Sequence, residues 1–238
     1  MSAFSFAGQK LDNNLVGSIA SLLNAAGVPN LLWGNYLLTV YGVPTIVDGV
    51  AFVVPDALLE KGLSTLSGAG FLPCTQGLEC PCLGAPQSLS SLAHLHINDE
   101  LVVSLYRKSE MLWDFPEFDI ATDSADIISA SDGHLPLASL ARGQGRFPAY
   151  LSAVRIPTAI RYCEAVINLL CRDHKAPREP YWLAIVTYIL EYVDGTEAFH
   201  EECLKDGYRQ FYTAMKQGDS KMFHHLKTLR DSLVKSNM

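Results

Sequence analysis

Hydrophobic positions along the chain change period several times, and each change marks an element. Leu15, Ile19, Leu22, Leu23 and Ala26 recur at helical spacing and predict an amphipathic helix over residues 13–26. Asn13 or Asn14 can cap its start, and Gly27-Val-Pro29 ends it. Residues 30–33 read as a short buried strand. Gly34 then breaks to a second helix, residues 35–41, closed by Gly42. Residues 45–54 are rich in β-branched side chains and predict a central strand. Pro55-Asp56 opens a third helix, with Asp56 as its expected cap and Leu58, Leu59, Leu63 and Leu66 on the inner side. Residues 71–91 read as loop. Two strands follow, residues 92–97 and 100–106, joined at Asn98-Asp99.

Residues 107–150 look irregular, and a stretch of that length is expected to wrap the core or carry function. Helices dominate from there on. Pro157 suits a first helical turn, with Ile160, Cys163, Val166, Ile167 and Leu170 as the apolar face. Further helices are expected near 179–193, 197–216 and 219–235. The run Tyr181 to Leu190 is apolar all round, which predicts a central helix. Trp33, Trp113 and Trp182 read as core or rim aromatics, and His224-His225 as part of a solvated helix face. The fold class expected is α+β: a small mixed sheet with flanking helices over 1–106, an irregular connector over 107–150, and a helical part over 151–238 packed on the core.

Charge is distributed unevenly. Residues 1–140 carry four Lys/Arg against fourteen Asp/Glu, a balance of −10, while residues 141–238 carry +3. The acidic first part repels a phosphate backbone, so nucleic acid is not an expected partner. Cations for an anion site must come from the second part. Arg142-Gly-Gln-Gly-Arg146 reads as a flexible loop with two guanidiniums, followed by Arg155 and Arg161. No apolar run is long enough to span a bilayer, and the first ten residues lack the pattern of a secretory signal. A cytoplasmic, reducing setting is therefore expected, in which the six cysteines remain thiols.

The segment Leu31-Leu-Trp-Gly34-Asn35, followed by Gly42, Thr45, Asp48 and Val50, resembles the nucleotidyltransferase family, the DNA polymerase β-like core. In that family a strand ends in a Gly-Gly or Gly-Ser turn, and a helix follows. A Thr or Ser then precedes Asp-x-Asp on the next strand. Carboxylates at i and i+2 share a strand face and hold Mg²⁺ ions that bridge a triphosphate. The resemblance makes Gly34, Asn35 and Thr45 nucleotide-contacting residues and Asp48 the first metal carboxylate. Val50 stands where the second carboxylate belongs, and Glu100 or Asp99 is the nearest substitute. Ala69 to Cys74, Cys80-Pro-Cys82, His94-Leu-His96, Leu105 to Ser109, Leu112-Trp113 and Ala130 to Asp132 extend a similarity to a fungal group with this core and no established activity.

Two functions follow as expectations. One is a degenerate core that binds a small molecule, a nucleotide or a protein partner. The other is a Mg²⁺-dependent transferase acting on a small molecule, with Asp48 and Glu100 as carboxylates and Arg142 and Arg146 as phosphate clamps. A further reading makes His94 or His96 a general base. On either view Mg²⁺ enters only with bound nucleotide, and Val50→Asp is expected to raise Mg²⁺–nucleotide affinity if the cleft is otherwise intact. Gly-x-Ser-x-Gly, Walker and dinucleotide-binding patterns do not occur in a fitting context. Cys74, Cys80, Cys82, His94 and His96 form a cluster of soft ligands, but their spacing matches no standard zinc ribbon. Zinc is therefore not expected, Cys80-Pro-Cys82 reads as a rigid turn, and the imidazoles are expected to line the cleft near Asp48.

Overall fold

A computed structural model describes residues 4–83, 93–120 and 124–236. The chain divides into two compact units, Met1–Pro157 and Thr158–Met238. The irregular stretch over 107–150 thus belongs to the first unit. It holds the short helix Lys108–Met111, and its strand at Ile127–Ser129 pairs antiparallel with Arg155–Pro157.

The first unit opens with helix α1, Asn13–Ala25, which buries Leu15, Val16, Ile19, Ala20 and Leu23. Its cap is Asp12 rather than Asn13 or Asn14: the Asp12 carboxylate accepts from Leu15 N–H at 2.9 Å. Strand β1, Leu31–Trp33, leads directly into helix α2, Gly34–Val40. Strand β2 runs Gly49–Val54, shorter than the 45–54 expected, and Thr45 and Asp48 lie in the coil before it. A 3₁₀ turn, Asp56–Leu58, precedes helix α3, Leu59–Gly68. Asp56 is not a helix cap. Its carboxylate is taken by Ser109, from the backbone N–H at 3.0 Å and from Oγ at 2.5 Å.

Strand β3, Leu72–Pro73, lies inside the expected loop. Strands β4, His94–His96, and β5, Val102–Arg107, form the expected antiparallel pair, although Leu92 lies outside the described residues. Helix α4 is Lys108–Met111, and the later strand pair is β6, Ile127–Ser129, with β7, Arg155–Pro157.

The main sheet has the order β1-β2-β5-β4-β3. It is mixed: β2 and β5 are parallel, with Gly49 opposite Val102, and the other neighbours are antiparallel. Val50 pairs with Val103 and Phe52 with Leu105, so these four share a face. Helix α3 closes on that face. A Cβ placed on Gly62 would stand 2.8 Å from Leu105 Cδ1 and 3.6 Å from Leu23 Cδ2 of α1. Gly49 enters β2 at φ 151°, and a Cβ there would lie 2.3 Å from the Val102 carbonyl oxygen. Only glycine permits that approach of β2 to β5.

The second unit is helical: α5, Ala159–Arg172; α6, Glu179–Tyr192; α7, Asp206–Lys216; and α8, Met222–Ser236. Thr158 caps α5, so Pro157 ends a strand instead of opening the helix. The most buried helix is α5, with twelve of its fourteen residues inside. Helix α6 buries only Trp182, Ile185, Val186 and Ile189, because aromatic and aliphatic side chains on its other faces stay partly exposed. Residues 197–205 do not join α7, which starts at Asp206 after a 3₁₀ turn at Glu201–Cys203.

Candidate functional site

The sheet register gathers several of the expected residues at one end of the first unit. Trp33 pairs with Ala51, Gly49 with Val102, and Val102 with His96. The Gly34 turn, the coil bearing Asp48, the β4–β5 turn bearing Asp99 and Glu100, and the end of β4 at His96 therefore share that end. From β2 to β4 is two strand spacings, about 10 Å.

Gly34 adopts φ 72° where β1 passes into α2. Asn35 follows it and reaches across to Asp48, with Nδ2 3.4 Å from Asp48 Oδ1. Asp48 is exposed and Asn35 half-buried. Gly34, Asn35 and Asp48 are thus brought together, and Thr45 stands half-buried in the preceding coil. Val50 is buried at 2% exposure among the core side chains. Asp48 itself is not on the strand, and the unusual Gly49 backbone separates it from Val50. The rule that strand residues two apart share a face does not carry from one to the other. Glu100 is exposed in its turn, where Asn98 Oδ1 accepts from the Glu100 and Leu101 N–H groups at 2.9 and 2.8 Å.

The loop with Arg142 and Arg146 is clasped to the far end of α2. Gly143 N–H donates to Gly42 O at 2.9 Å, and Gly145 N–H to Thr39 O at 2.9 Å. Arg146 Nη1 donates to Gly133 O at 2.9 Å, while Arg142 is exposed. Tyr36 ties the loop further: its hydroxyl lies 2.8 Å from Asn13 Oδ1 and 3.2 Å from Gln144 Oε1. Burial pushes the Tyr36 hydroxyl well above its ordinary pKa, so it stays protonated. Arg155 donates to Asp119 O, and Arg161 is held by Glu164 within the second unit.

A second constellation forms around β4. His94 and His96 project from the same face of that strand, their ring centroids 5.5 Å apart. Leu72 pairs with His96 and Pro73 with Leu95, so extending the register by one residue sets Cys74 opposite His94. The chain then turns through Gly77–Glu79 and returns Cys80 to the same place. One ligand atom from each of Cys74, Cys80, His94 and His96 lies within 4.8 Å of every other. His94 and Cys80 are buried; Cys74 and His96 are half-buried. The four could hold a metal ion. The imidazoles thus face thiols, rather than a cleft near Asp48.

Cys82 stands beside this group. Its Sγ donates to Asp99 O at 3.3 Å and lies 4.0 Å from His96 Nδ1. Burial chiefly, then the neighbouring Cys80, Cys74 and Asp99, raise its thiol pKa, which favours the protonated donor. The sequence already groups these five residues as soft ligands, but their spacing matches no zinc ribbon, because the four that meet come from β4, the end of β3 and the turn after it, which the register, not the sequence interval, brings together.

No protein-family model, no curated protein and no solved structure matches the chain.

Proposed function

We propose that the first unit is a nucleotidyltransferase-like core that has lost its metal pair and serves as a ligand-binding or interaction protein of the cytoplasm. The observation that carries this reading is the pairing of Asn35 with Asp48 across the Gly34 turn, beside a valine at position 50 that is sealed in the core. The element order and the mixed sheet support the family assignment. Two Mg²⁺ ions with near-octahedral oxygen shells need several carboxylate oxygens at fixed positions. Asp48 supplies one carboxylate, and its Oδ1 already faces an amide donor. Position 50 supplies an isopropyl group. A nucleotide or other small anion would meet Asp48 as a like charge, unless a cation accompanied it.

A second reading rests on the sheet register. Glu100 stands in the β4–β5 turn at the same end as Asp48, since Gly49 and Val102 are partners. The pair Asp48 and Glu100 would then hold Mg²⁺ with a bound triphosphate, and the protein would be a transferase acting on a small molecule.

Titration calorimetry with ATP, GTP, CTP and UTP, each with and without Mg²⁺, separates the two. The expected result is no Mg²⁺-dependent gain in affinity and no nucleotide transfer to general acceptors. Robust NTP-dependent product formation, abolished by Asp48→Asn, overturns the first reading and establishes the second.

A further inference from the structure

We infer that Cys74, Cys80, His94 and His96 form a structural zinc site that pins the 74–82 loop to the sheet. The donor set is the first reason. Two thiolates and two imidazoles suit Zn²⁺, and their charge neutralises the ion. Hard cations such as Mg²⁺ and Ca²⁺ take oxygen ligands instead.

Geometry is the second reason. Zinc–sulfur bonds of about 2.3 Å and zinc–nitrogen bonds of about 2.05 Å, in a tetrahedron, require ligand atoms roughly 3.3–3.8 Å apart. His96 Nε2 lies 3.7 Å from Cys80 Sγ, and the most separated ligand atoms are at most 4.8 Å apart. A contraction of about 1 Å at the widest edge completes the tetrahedron.

The outer shell is the third. His96 Nδ1 lies 3.3 Å from Asn98 O. A proton on Nδ1 donated to that carbonyl leaves Nε2 bare, and Nε2 is the nitrogen that faces Cys80. Cys82, already donating to Asp99 O, is a neighbour rather than a ligand.

All four coordination positions come from the protein, which marks a structural centre and leaves no open position for catalysis. The centre also answers a local need. Strand β3 has two residues, and the 74–82 segment carries only short 3₁₀ turns at Gly77–Glu79 and Pro81–Leu83. Zn²⁺ would displace one proton from each thiol of Cys74 and Cys80 to solvent, forming two Zn–S and two Zn–N bonds without any redox change.

The test uses the full chain, purified without chelator. Elemental analysis and native mass spectrometry should find one zinc per chain, with Cys74 and Cys80 unlinked. Replacement by Co²⁺ should give the strong visible bands and thiolate charge-transfer absorption of a tetrahedral dithiolate site. Cys80→Ser and His96→Gln should each weaken binding by well over 100-fold, since losing outer-shell partners alone reaches about that. Cys82→Ser should keep the metal and the cobalt spectrum. If a ligand variant does not fold, the cobalt spectrum of the unmodified chain still decides. Purified protein without zinc that fails to bind added Zn²⁺ or Co²⁺, or that carries a Cys74–Cys80 disulfide, overturns the inference. Retention of the metal by Cys80→Ser, or its loss from Cys82→Ser, overturns the assignment of the ligands.

Discussion

At the scale of single residues, position 50 shows how much a side chain's surroundings decide. Its place two residues after Asp48 suggests that a carboxylate there would rebuild a metal pair. In the structure Val50 is sealed on the face it shares with Phe52, Val103 and Leu105, the face that meets α3. An aspartate at this position would bury a charge without a partner, which proteins avoid at a cost of several kcal/mol. Val50→Asp is therefore expected to lower the unfolding free energy by at least about 3 kcal/mol, read from the midpoint of urea denaturation. A gain in Mg²⁺–nucleotide affinity with unchanged stability would show that the position opens to a cleft.

Asp48 and Asn35 illustrate the opposite case. The family resemblance marks both as candidate site residues. Their contact was not legible, because it joins side chains thirteen residues apart across a turn whose geometry depends on Gly34.

At the scale of elements, amphipathic period carried most of the assignment. Helices α1, α5, α6 and α8 fall close to the expected spans because their apolar faces repeat at 3–4 residues. Two-residue β3 and the β6–β7 pair were hidden, since strands so short have no period to read. Apolar content does not set the rank of burial: α6 is richer in apolar residues, yet α5 is the more buried helix.

Burying α5 brings polar groups with it. Glu164, 1% exposed, pairs with Arg161 on the same helix and with Lys205, whose Nζ lies 3.3 Å away and whose N–H donates at 2.9 Å. Removing the carboxylate takes away the ion pair that it makes with the buried guanidinium of Arg161. Glu164→Ala is expected to cost about 3–5 kcal/mol. Chemical denaturation of the variant measures it, and a loss below 1 kcal/mol would mean that water or another acceptor replaces the carboxylate.

At the scale of the whole molecule, acid should unfold the protein through a shared cause. In the first unit, burial would raise the Asp56 carboxyl, but its hydrogen bonds from Ser109 and the charges of Arg107 and Lys108 outweigh that and hold it below the ordinary value. Asp132 is lowered mainly by the His134 N–H. In the second unit, burial acts to raise Asp173, yet hydrogen bonds from Arg172 and from Trp182 Nε1 at 2.7 Å leave it lowered. Glu179 is lowered first by His174, and Glu201 first by Thr213.

A carboxyl whose folded pKa is depressed contributes stability that is complete above its unfolded value and is lost as pH falls through the folded one. Stability should hold at neutral pH and decline below about pH 4. Thermal melts between neutral and acid pH test this, with Asp173→Asn expected to flatten the acid limb. An acid limb unchanged by that substitution would assign the loss to other groups.

The family resemblance marked the candidate pair Gly34 and Asp48; the sequence by itself determined the spans of α1, α5, α6 and α8 and, as far as α3, the order of strands and helices. These follow from local period, turn chemistry and glycine placement, which need no knowledge of distant contacts. It also grouped the cysteines and histidines that meet at β4, but did not say which four of the five come together. Tertiary structure alone decided that meeting, together with the burial of Val50, the clasp of the Arg142–Arg146 loop on α2 and the inward position of α5. Each depends on which strand lies beside which, and in what register. A shift of one residue in the β3–β4 pairing would turn Cys74 away from His94.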